Sequence, residues 1–329
     1  MFLHIGVPKM RRAVYVATLI VLVVVVGFIY AYQLGYLSPR RLTIFHAGSL
    51  AVPLERLSEK FVEQCPGTRI ARESSGSVDA VRKVVDLHRS CDLLAVADYR
   101  LIPELMYEGG YASWYLVFAS NSLVVAYTEK SRYSDEITSQ NWYQILARED
   151  VVIGRSDPER DPCGYRALIL FQLASIYYGD PAINETLAGH EKTVVKPKSV
   201  ELLAGLEAGT IDYAIEYKSV AIQHGLKYVE LPDELNLSNP EMAEYYSQAV
   251  VAIRHGEETL EMRGSPILYG ITVPSTAQNV ETAVKFLQFL LSEDGRRILE
   301  ECGMQPVYPA LTDNLDAVPE VLRQHATQK

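Results

Sequence analysis

Cysteine and histidine are scarce in this chain, and their spacing matches no metal-binding motif. The 329 residues include four cysteines and seven histidines, and neither C-x-x-C nor H-x-H occurs. A structural zinc site or a thioredoxin-type centre needs closely spaced ligands or thiols, so both are excluded. Four cysteines allow three disulfide pairings, and the sequence does not choose among them. We expect no bound cofactor.

Positive charge is also in short supply. The chain has 31 Lys and Arg residues against 41 Asp and Glu residues, which gives a formal net charge of -10. Proteins that bind nucleic acid cluster Lys and Arg where they neutralise phosphates, and the densest basic run here is the short KMRR near the N-terminus. A nucleic-acid partner is therefore excluded.

Long apolar runs are absent with one exception, AVYVATLIVLVVVVGFIYAY at 13–32. As a helix rising about 1.5 Å per residue, this run would span roughly the 30 Å of a membrane's hydrocarbon core. Basic residues precede it, so we predict a cytoplasmic N-terminus at 1–12, a transmembrane helix at 13–32 and a linker at 33–41. A cleaved signal peptide is the alternative, although no small-x-small cleavage site follows. We expect a single-pass protein of the cell membrane whose binding domain faces outside.

Beyond the linker, apolar runs of strand length alternate with amphipathic helical patterns. Runs such as CDLLAVAD are continuously apolar, as expected of strands buried on both faces. This alternation predicts an α/β fold with mixed sheets flanked by helices. The run WYLVFASNSLVVAYT, broken at Ser-Asn-Ser, indicates where the chain leaves its first lobe. We predict two lobes with a ligand cleft between them: 42–125 with 265–329, and 126–264.

Two strand-to-helix turns in the first lobe combine small residues with a helix start. HAGS places Gly48 and Ser49 at one turn, and SSGS places Ser77 at the next, where its side chain can cap the helix. Each feature alone is typical of an ordinary helix cap. Because the first N–H groups of a helix have no partner within it, two such turns in one lobe suggest a pocket for an oxyanion.

The second lobe adds acidic residues at comparable places. In DPCGYR, Asp161 is predicted to cap a helix that begins at Pro162. Glu216 lies near the end of the apolar strand YAIEY, where burying a carboxylate without a partner would be costly. If neither residue binds a ligand, Asp161 is an ordinary helix cap and Glu216 is an exposed residue at the end of a strand.

Eight segments, in order and at matching spacing, closely resemble the archaeal-type molybdate/tungstate-binding proteins of ABC importers. They are FHAGSL, RKV, ADYRLI, SQNWYQIL, DPCGYRALI, YKSVAIQHG, VELP and YGITVP. The resemblance covers roughly 42–309 and implies a two-lobed periplasmic-binding-protein-like fold of type II. It also implies that the protein binds molybdate or tungstate and delivers it to a membrane permease driven by a cytoplasmic ATPase. On this basis we expect a monomer that catalyses no reaction.

The resemblance assigns roles to individual residues as well. The anion would be bound by residues of both lobes: Gly48, Ser49, Ser77, Asp161, Pro162, Cys163, Glu216 and Tyr217. Among these, Asp161 and Glu216 would coordinate the molybdenum or tungsten centre itself. A hexavalent metal centre accepts further hard oxygen ligands, whereas the sulfur of sulfate does not, so this coordination would give selectivity.

Other functions remain open at this point. A binding protein for sulfate, phosphate or ferric ion would share the same architecture. A membrane-anchored hydrolase is disfavoured, because G-x-S-x-G is absent and His46 lies only three residues from Ser49 on a strand. A thiol enzyme would use Cys163, since a position at a helix start lowers the pKa of a thiol.

Overall fold

A computed structural model of the chain describes residues 9–33, 40–255 and 258–329. The chain divides into two compact units, Met1–Arg40 and Arg41–Lys329. The first unit contains one described helix, α1 (Lys9–Gln33).

The predicted membrane anchor at 13–32 lies within α1, whose side chains are described over 14–27. No helix in the described part of the chain is long and apolar enough to cross a membrane. That finding does not support the predicted transmembrane helix. The predicted cytoplasmic terminus, 1–12, and the predicted linker, 33–41, lie mostly outside the described residues.

Strands and helices alternate along the rest of the chain, as the sequence pattern predicts. The strands are β1 (Arg40–Ala47), β2 (Thr68–Ser75), β3 (Leu93–Val96), β4 (Leu116–Ser120), β5 (Leu123–Tyr127), β6 (Ile153–Ser156), β7 (Thr193–Lys196), β8 (Tyr213–Tyr217), β9 (Lys227–Glu230), β10 (Val250–His255), β11 (Glu258–Arg263), β12 (Leu268–Thr272), β13 (Gln305–Thr312) and β14 (Ala326–Gln328).

The helices are α2 (Ala51–Gln64), α3 (Ser77–Val85), α4 (Leu101–Met106), α5 (Trp142–Leu146), α6 (Pro162–Tyr178), α7 (Ala182–Ala188), α8 (Leu203–Ala208), α9 (Lys218–Gln223), α10 (Asp233–Asn236), α11 (Ala243–Tyr246), α12 (Val280–Leu291), α13 (Glu293–Glu301) and α14 (Glu320–Arg323). Short 3-10 turns occur at Gly48–Leu50, Ser199–Leu202 and Pro240–Met242.

Two mixed sheets organise the second unit. The larger has the strand order β14-β13-β4-β12-β3-β1-β2, and the smaller has the order β7-β6-β8-β5-β9. Strands β10 and β11 form a separate antiparallel hairpin. The prediction of two α/β lobes built on mixed sheets is confirmed.

The chain crosses between the lobes in a very short segment. Strand β4 ends at Ser120 in the larger sheet, and β5 begins at Leu123 in the smaller one. The predicted boundary between 125 and 126 therefore falls inside β5. The sequence signals a break at Ser-Asn-Ser but not which sheet the following run joins, because that depends on pairing with the distant strands β8 and β9.

Parallel pairing in both sheets fixes where the loops converge. In the larger sheet β1 is parallel to β3, with Ile44 opposite Leu93, and in the smaller sheet β6 is parallel to β8, with Ile153 opposite Tyr213. Strands that run in parallel end at the same edge of their sheet. The loops that follow β1, β3, β6 and β8 therefore gather at one edge of each lobe, as is usual for ligand sites in α/β folds.

Burial and capping explain why these elements form. All four residues of β3 are buried, as its continuous apolar sequence requires at the centre of a sheet. Helix α6 begins with Pro162, which has no N–H to lose there, and ends at Gly179 with a φ of 69°. The sequence thus specifies both ends of the helix whose start lies at the edge of the second lobe.

Candidate functional site

The two lobes meet where helices begin after strands of both sheets. On the first lobe, the turn Gly48–Leu50 follows β1, and α3 begins at Ser77 after β2. On the second lobe, α6 begins at Pro162, and the turn Ser199–Leu202 follows β7. The first N–H groups of a helix lack partners within it, so these starts concentrate hydrogen-bond donors in the cleft.

The start of α3 binds directly to the second lobe. The N–H groups of Val78 and Asp79 donate to the carbonyl oxygen of Arg160, at 3.1 and 3.5 Å. The Arg160 guanidinium also forms an ion pair with the Asp79 carboxylate, at 2.7 Å. A Cβ atom at Gly76 would lie 2.1 Å from the Arg160 oxygen, so only glycine permits this approach. These contacts describe a closed cleft.

Three further contacts bring predicted residues of both lobes to one place. A Cβ atom at Gly48 would lie 3.1 Å from Cγ2 of Val200. A Cβ atom at Gly76 would lie 3.2 Å from Cβ of Asp161. The N–H of Ser199, beside Val200, donates to Oδ2 of Asp161 at 2.9 Å. The turns after β1 and β2 in the first lobe therefore both border the region around Asp161 in the second.

Asp161 occupies the N-cap position of α6, as the sequence predicts. Its Oδ2 accepts from the N–H of Ser199. The N–H of Cys163 in the first turn also lowers the pKa of the carboxyl group, although it lacks the geometry of a capping hydrogen bond. Burial raises the pKa of Asp161 to about 6, although the Ser199 N–H works in the opposite direction. The carboxylate thus lies at the contact between the lobes, in surroundings that disfavour its negative charge.

Glu216 lies near the end of β8 and is only 1% exposed. Its Oε1 accepts from the N–H of Tyr217 at 2.8 Å, whereas its Oε2 has no hydrogen-bond partner among the described residues. Burial raises the pKa of Glu216 to about 8, and the negative charge of Asp161 adds to that increase. A buried carboxylate oxygen without a partner is costly, so Glu216 retains the capacity to bind a further group.

Both serines that were predicted to donate hydrogen bonds also accept one. The Tyr269 hydroxyl donates to Oγ of Ser49 at 3.0 Å, and the Ala97 N–H donates to Oγ of Ser77 at 2.9 Å. The prediction that the Ser77 side chain caps α3 is therefore wrong. Neither serine donates to another residue in the part of the chain that is described. Each hydroxyl proton is thus available within the cleft.

Cys163 is completely buried at the start of α6. Its Sγ lies 3.5 Å from the carbonyl oxygen of Ile215 and 3.9 Å from Oε1 of Glu216. Burial raises the pKa of the thiol well above its usual value, and the charges of Glu216 and Asp161 add to this effect. The thiol therefore stays protonated, which argues against a nucleophilic thiolate.

Tyr217 contacts a buried arginine for which the sequence analysis proposed no role. Nη1 of Arg166 donates to the Tyr217 hydroxyl and to the Ala97 carbonyl oxygen, both at 2.8 Å, and Nη2 lies 3.2 Å from Oδ2 of Asp98. Arg166 and Asp98 are each 1% exposed. The signal was present in GYRALILFQLA, because one cation in an otherwise apolar helix needs a buried partner. This ion pair joins α6 of the second lobe to the end of β3 in the first.

Ser199 was also missed as a site residue. It begins the turn after β7, within KPKSVEL, and its N–H donates to the Asp161 carboxylate. Its side chain also lowers the pKa of Glu216. The signal is again a small residue at a strand-to-helix turn, as in HAGS and SSGS.

The geometry opposes a serine hydrolase. Nδ1 of His46 is hydrogen-bonded to the carbonyl oxygen of Ala47 at 2.8 Å, whereas the hydroxyl of Ser49 is bonded to Tyr269. Burial lowers the pKa of His46 to about 4. No relay from Ser49 to His46 exists, so the arrangement lacks the base that activates a nucleophile.

Taken together, the site offers two buried carboxylates among hydroxyl and N–H donors. The described residues include no group of three or more His, Cys, Asp or Glu side chains that could hold a metal ion. The carboxylates therefore suit a ligand whose centre accepts oxygen atoms, while the donors suit the oxygens around that centre.

Comparison with known proteins points to one family. The family model for bacterial extracellular solute-binding proteins matches 42–305. A solute-binding protein of Petrotoga mobilis is 44% identical over 285 residues, which cover 86% of this chain and 88% of that relative. The molybdate/tungstate-binding protein WtpA of Pyrococcus abyssi is 44% identical over 288 residues, covering 79% of this chain and 83% of the relative. These matches confirm the resemblance seen in the sequence segments.

The fold itself recurs in a solved structure. The periplasmic molybdate-binding protein of Azotobacter vinelandii aligns with a TM-score of 0.61 at 16% identity, covering 80% of this chain and 98% of that one. At this identity the match shows that the two proteins share a two-lobed architecture.

The two raised carboxylate pKa values predict a dependence of stability on pH. Above about pH 4 the unfolded chain releases protons that the folded protein still holds. The contribution of these protons to the free energy of unfolding is therefore complete below about pH 4. It is lost as pH rises through about 6 for Asp161 and about 8 for Glu216.

Glu216→Gln removes one of these titrations. Its thermal unfolding midpoint, measured without oxyanions, should therefore exceed that of the wild type increasingly from about pH 5 to about pH 9. The exposed Glu244→Gln is the control, and a constant difference for Glu216→Gln would contradict the raised pKa.

Proposed function

The chain belongs to the family of bacterial extracellular solute-binding proteins, and from that premise we propose that it binds molybdate or tungstate outside the cytoplasm. It is a binding protein and not an enzyme. In this proposal a monomer releases the bound anion to the permease of an ABC importer, whose ATPase subunit drives transport. The relatives named as molybdate/tungstate-binding proteins support this choice of ligand.

One observation carries the choice of ligand: two carboxylates are buried in a closed cleft, and Oε2 of Glu216 has no hydrogen-bond partner among the described residues. Asp161 is 3% exposed, and its negative charge acts on Glu216. Burial raises the pKa of both carboxyl groups, and the charge of Asp161 raises that of Glu216 further, so the pair favours a group that can share its negative charge. A molybdenum or tungsten centre, which accepts further oxygen ligands, would do so.

The remaining groups support binding of the oxygens around that centre. The hydroxyl protons of Ser49 and Ser77 have no acceptor among the described residues, so both can be donated to the ligand. The N–H groups of Val78 and Asp79 at the start of α3 are bonded to Arg160, so backbone donors would come from the other helix starts. Together, these donors would offset the charge of the oxyanion while the carboxylates coordinate its centre. Sulfate has a centre of comparable charge that does not take up extra oxygen ligands, so it would leave the carboxylates facing a dianion.

A carboxylate substitution tests the coordination directly. Asp161→Asn and Glu216→Gln keep the shape of each side chain but remove its anionic oxygen ligand. Each should weaken tungstate binding by on the order of 100-fold, equivalent to about 2.7 kcal/mol, in titration calorimetry of the full chain. Ser49→Ala should weaken binding about tenfold or less, because backbone donors remain.

The same titrations include a control variant, and one result would refute the proposed coordination. Glu244→Gln removes an exposed carboxylate and should leave the affinity for tungstate unchanged. Sulfate should give no measurable heat with the wild type. Wild-type affinity for tungstate in both Asp161→Asn and Glu216→Gln would refute the proposal that these carboxylates coordinate the metal.

A second substitution tests cleft closure. Gly76 has φ −61° and ψ 150°, which alanine adopts readily, so Gly76→Ala introduces no backbone strain within its own lobe and should still fold. In the closed cleft its Cβ would lie 2.1 Å from the Arg160 oxygen. Tungstate binding should therefore weaken by on the order of 100-fold. Unchanged affinity would show that binding does not require this contact between the lobes.

The single-pass anchor over 13–32 remains a proposal that rests on the sequence alone. The uncharged run and the basic residues before it support it. If it spans the membrane, the full chain should stay in the membrane pellet after alkaline carbonate extraction, whereas Val23→Arg, near the middle of the run, should release it. Recovery of the wild-type chain in the soluble fraction would overturn the anchor.

A further inference from the structure

The side-chain amide of Asn121 lies where the chain crosses between the lobes, and its orientation is fixed. Its Oδ1 accepts from the backbone N–H groups of Ser122, at 2.9 Å, and Ser219, at 3.3 Å. A backbone N–H can only donate, so the oxygen of the amide must face these two groups. The Nδ2 atom must then face the opposite direction, towards Tyr269.

The fixed amide determines the direction of the next hydrogen bonds. Nδ2 of Asn121 donates to Oγ of Ser219 at 2.7 Å and to the hydroxyl of Tyr269 at 3.2 Å. The Tyr269 oxygen accepts from Asn121 on one side, and its own proton is donated to Oγ of Ser49, 3.0 Å away. All four residues are buried, with at most 6% exposed.

We propose that Asn121 and Tyr269 are positioning residues that hold the Ser49 hydroxyl as a hydrogen-bond donor to the bound oxyanion. We call Asn121, Tyr269 and Ser49 the hinge relay. Since Oγ of Ser49 already accepts from Tyr269, its single proton has to be donated elsewhere, and no other described residue accepts it. The inference rests on the proposed function, because it assigns that proton to the ligand.

The protonation of Tyr269 suits this role. Burial raises the pKa of the Tyr269 phenol well above its usual value, so it keeps a proton to donate at neutral pH. The relay therefore directs the Ser49 proton to the ligand. An oxyanion oxygen without a proton is the stronger acceptor for this donor.

The hinge relay also connects the ligand to the crossing between the lobes. Tyr269 and Ser49 belong to the first lobe, and Ser219, which orients Asn121, belongs to the second. The direction of the Ser49 hydroxyl thus depends on backbone groups at the crossing. A positioned donor loses less rotational freedom on binding than a freely rotating one, which raises affinity.

Tyr269 also packs against neighbouring rings, so the test must separate its hydroxyl from its ring. The ring centroid lies 5.9 Å from that of Tyr217 and 6.4 Å from that of Phe118. Tyr269→Phe keeps this packing and removes only the hydroxyl. A purely structural role for the hydroxyl would lower stability without acting through Ser49.

The decisive experiment is a double-mutant cycle on the full chain, measured by calorimetric titration with tungstate. Tyr269→Phe should weaken binding about fivefold, since one neutral hydrogen bond is being lost. Ser49→Ala should weaken it about tenfold or less. If Tyr269 acts through Ser49, the double variant should bind no more weakly than Ser49→Ala alone. Additive effects, or wild-type affinity in Tyr269→Phe, would overturn the hinge relay.

A matched control is available in the second lobe. Tyr246 is fully buried, and its hydroxyl is bonded to the Asp233 carbonyl oxygen and the Asn239 N–H, neither of which belongs to the relay. Tyr246→Phe should lower stability but leave tungstate affinity unchanged. If the wild type itself binds neither tungstate nor molybdate, the proposed function fails and the relay with it. If the wild type binds and only the cycle is additive, the relay alone fails.

Discussion

Two carboxylates held together in a closed, buried cleft are the constraint on which the rest of this structure depends. Asp161 and Glu216 come from different elements of the second lobe, and burial raises the pKa of both. A protein tolerates such a pair only when something else stabilises it. The surrounding donors, the buried Arg166 and the crossing between the lobes are best understood as the means by which this protein does so.

Arg166 supplies a buried positive charge near Asp161, but that charge is shared. Its guanidinium lies between Asp98 of the first lobe and Tyr217 of the second, and both arginine and aspartate are almost inaccessible to solvent. Removing one partner of a buried ion pair leaves an uncompensated charge, so this pair favours the arrangement in which the lobes touch. The same cation lowers the pKa of Asp161, though less than burial raises it. Closure and the electrostatics of the site are therefore coupled through one side chain.

The fold was largely predictable from the sequence, whereas the directions of the site's side chains were not. Alternating apolar runs and helical patterns sufficed for two α/β lobes, because they reflect burial within each element. Ser77 and Asp161 were placed correctly at helix starts, yet the groups they bind were not predicted, since Ser77 accepts from Ala97 and Asp161 accepts from Ser199. Local sequence indicates only hydrogen-bond partners that are close along the chain. The actual partners, such as Tyr269 for Ser49, lie as many as 220 residues away, so only the folded pairing of strands reveals them.

Burial disfavours the ionised carboxylates, and the same burial would let them discriminate between oxyanions. In a region of low dielectric, a dianion that left them uncoordinated would repel any negative charge they carried, so they would be held in their protonated forms. A metalate centre that accepts their oxygens converts the same charges into bonds. Exposed carboxylates would lose this contrast, because water would solvate them whichever anion was present. The depth of the site and the closing of the lobes over it are therefore as much part of its specificity as the identity of Asp161 and Glu216.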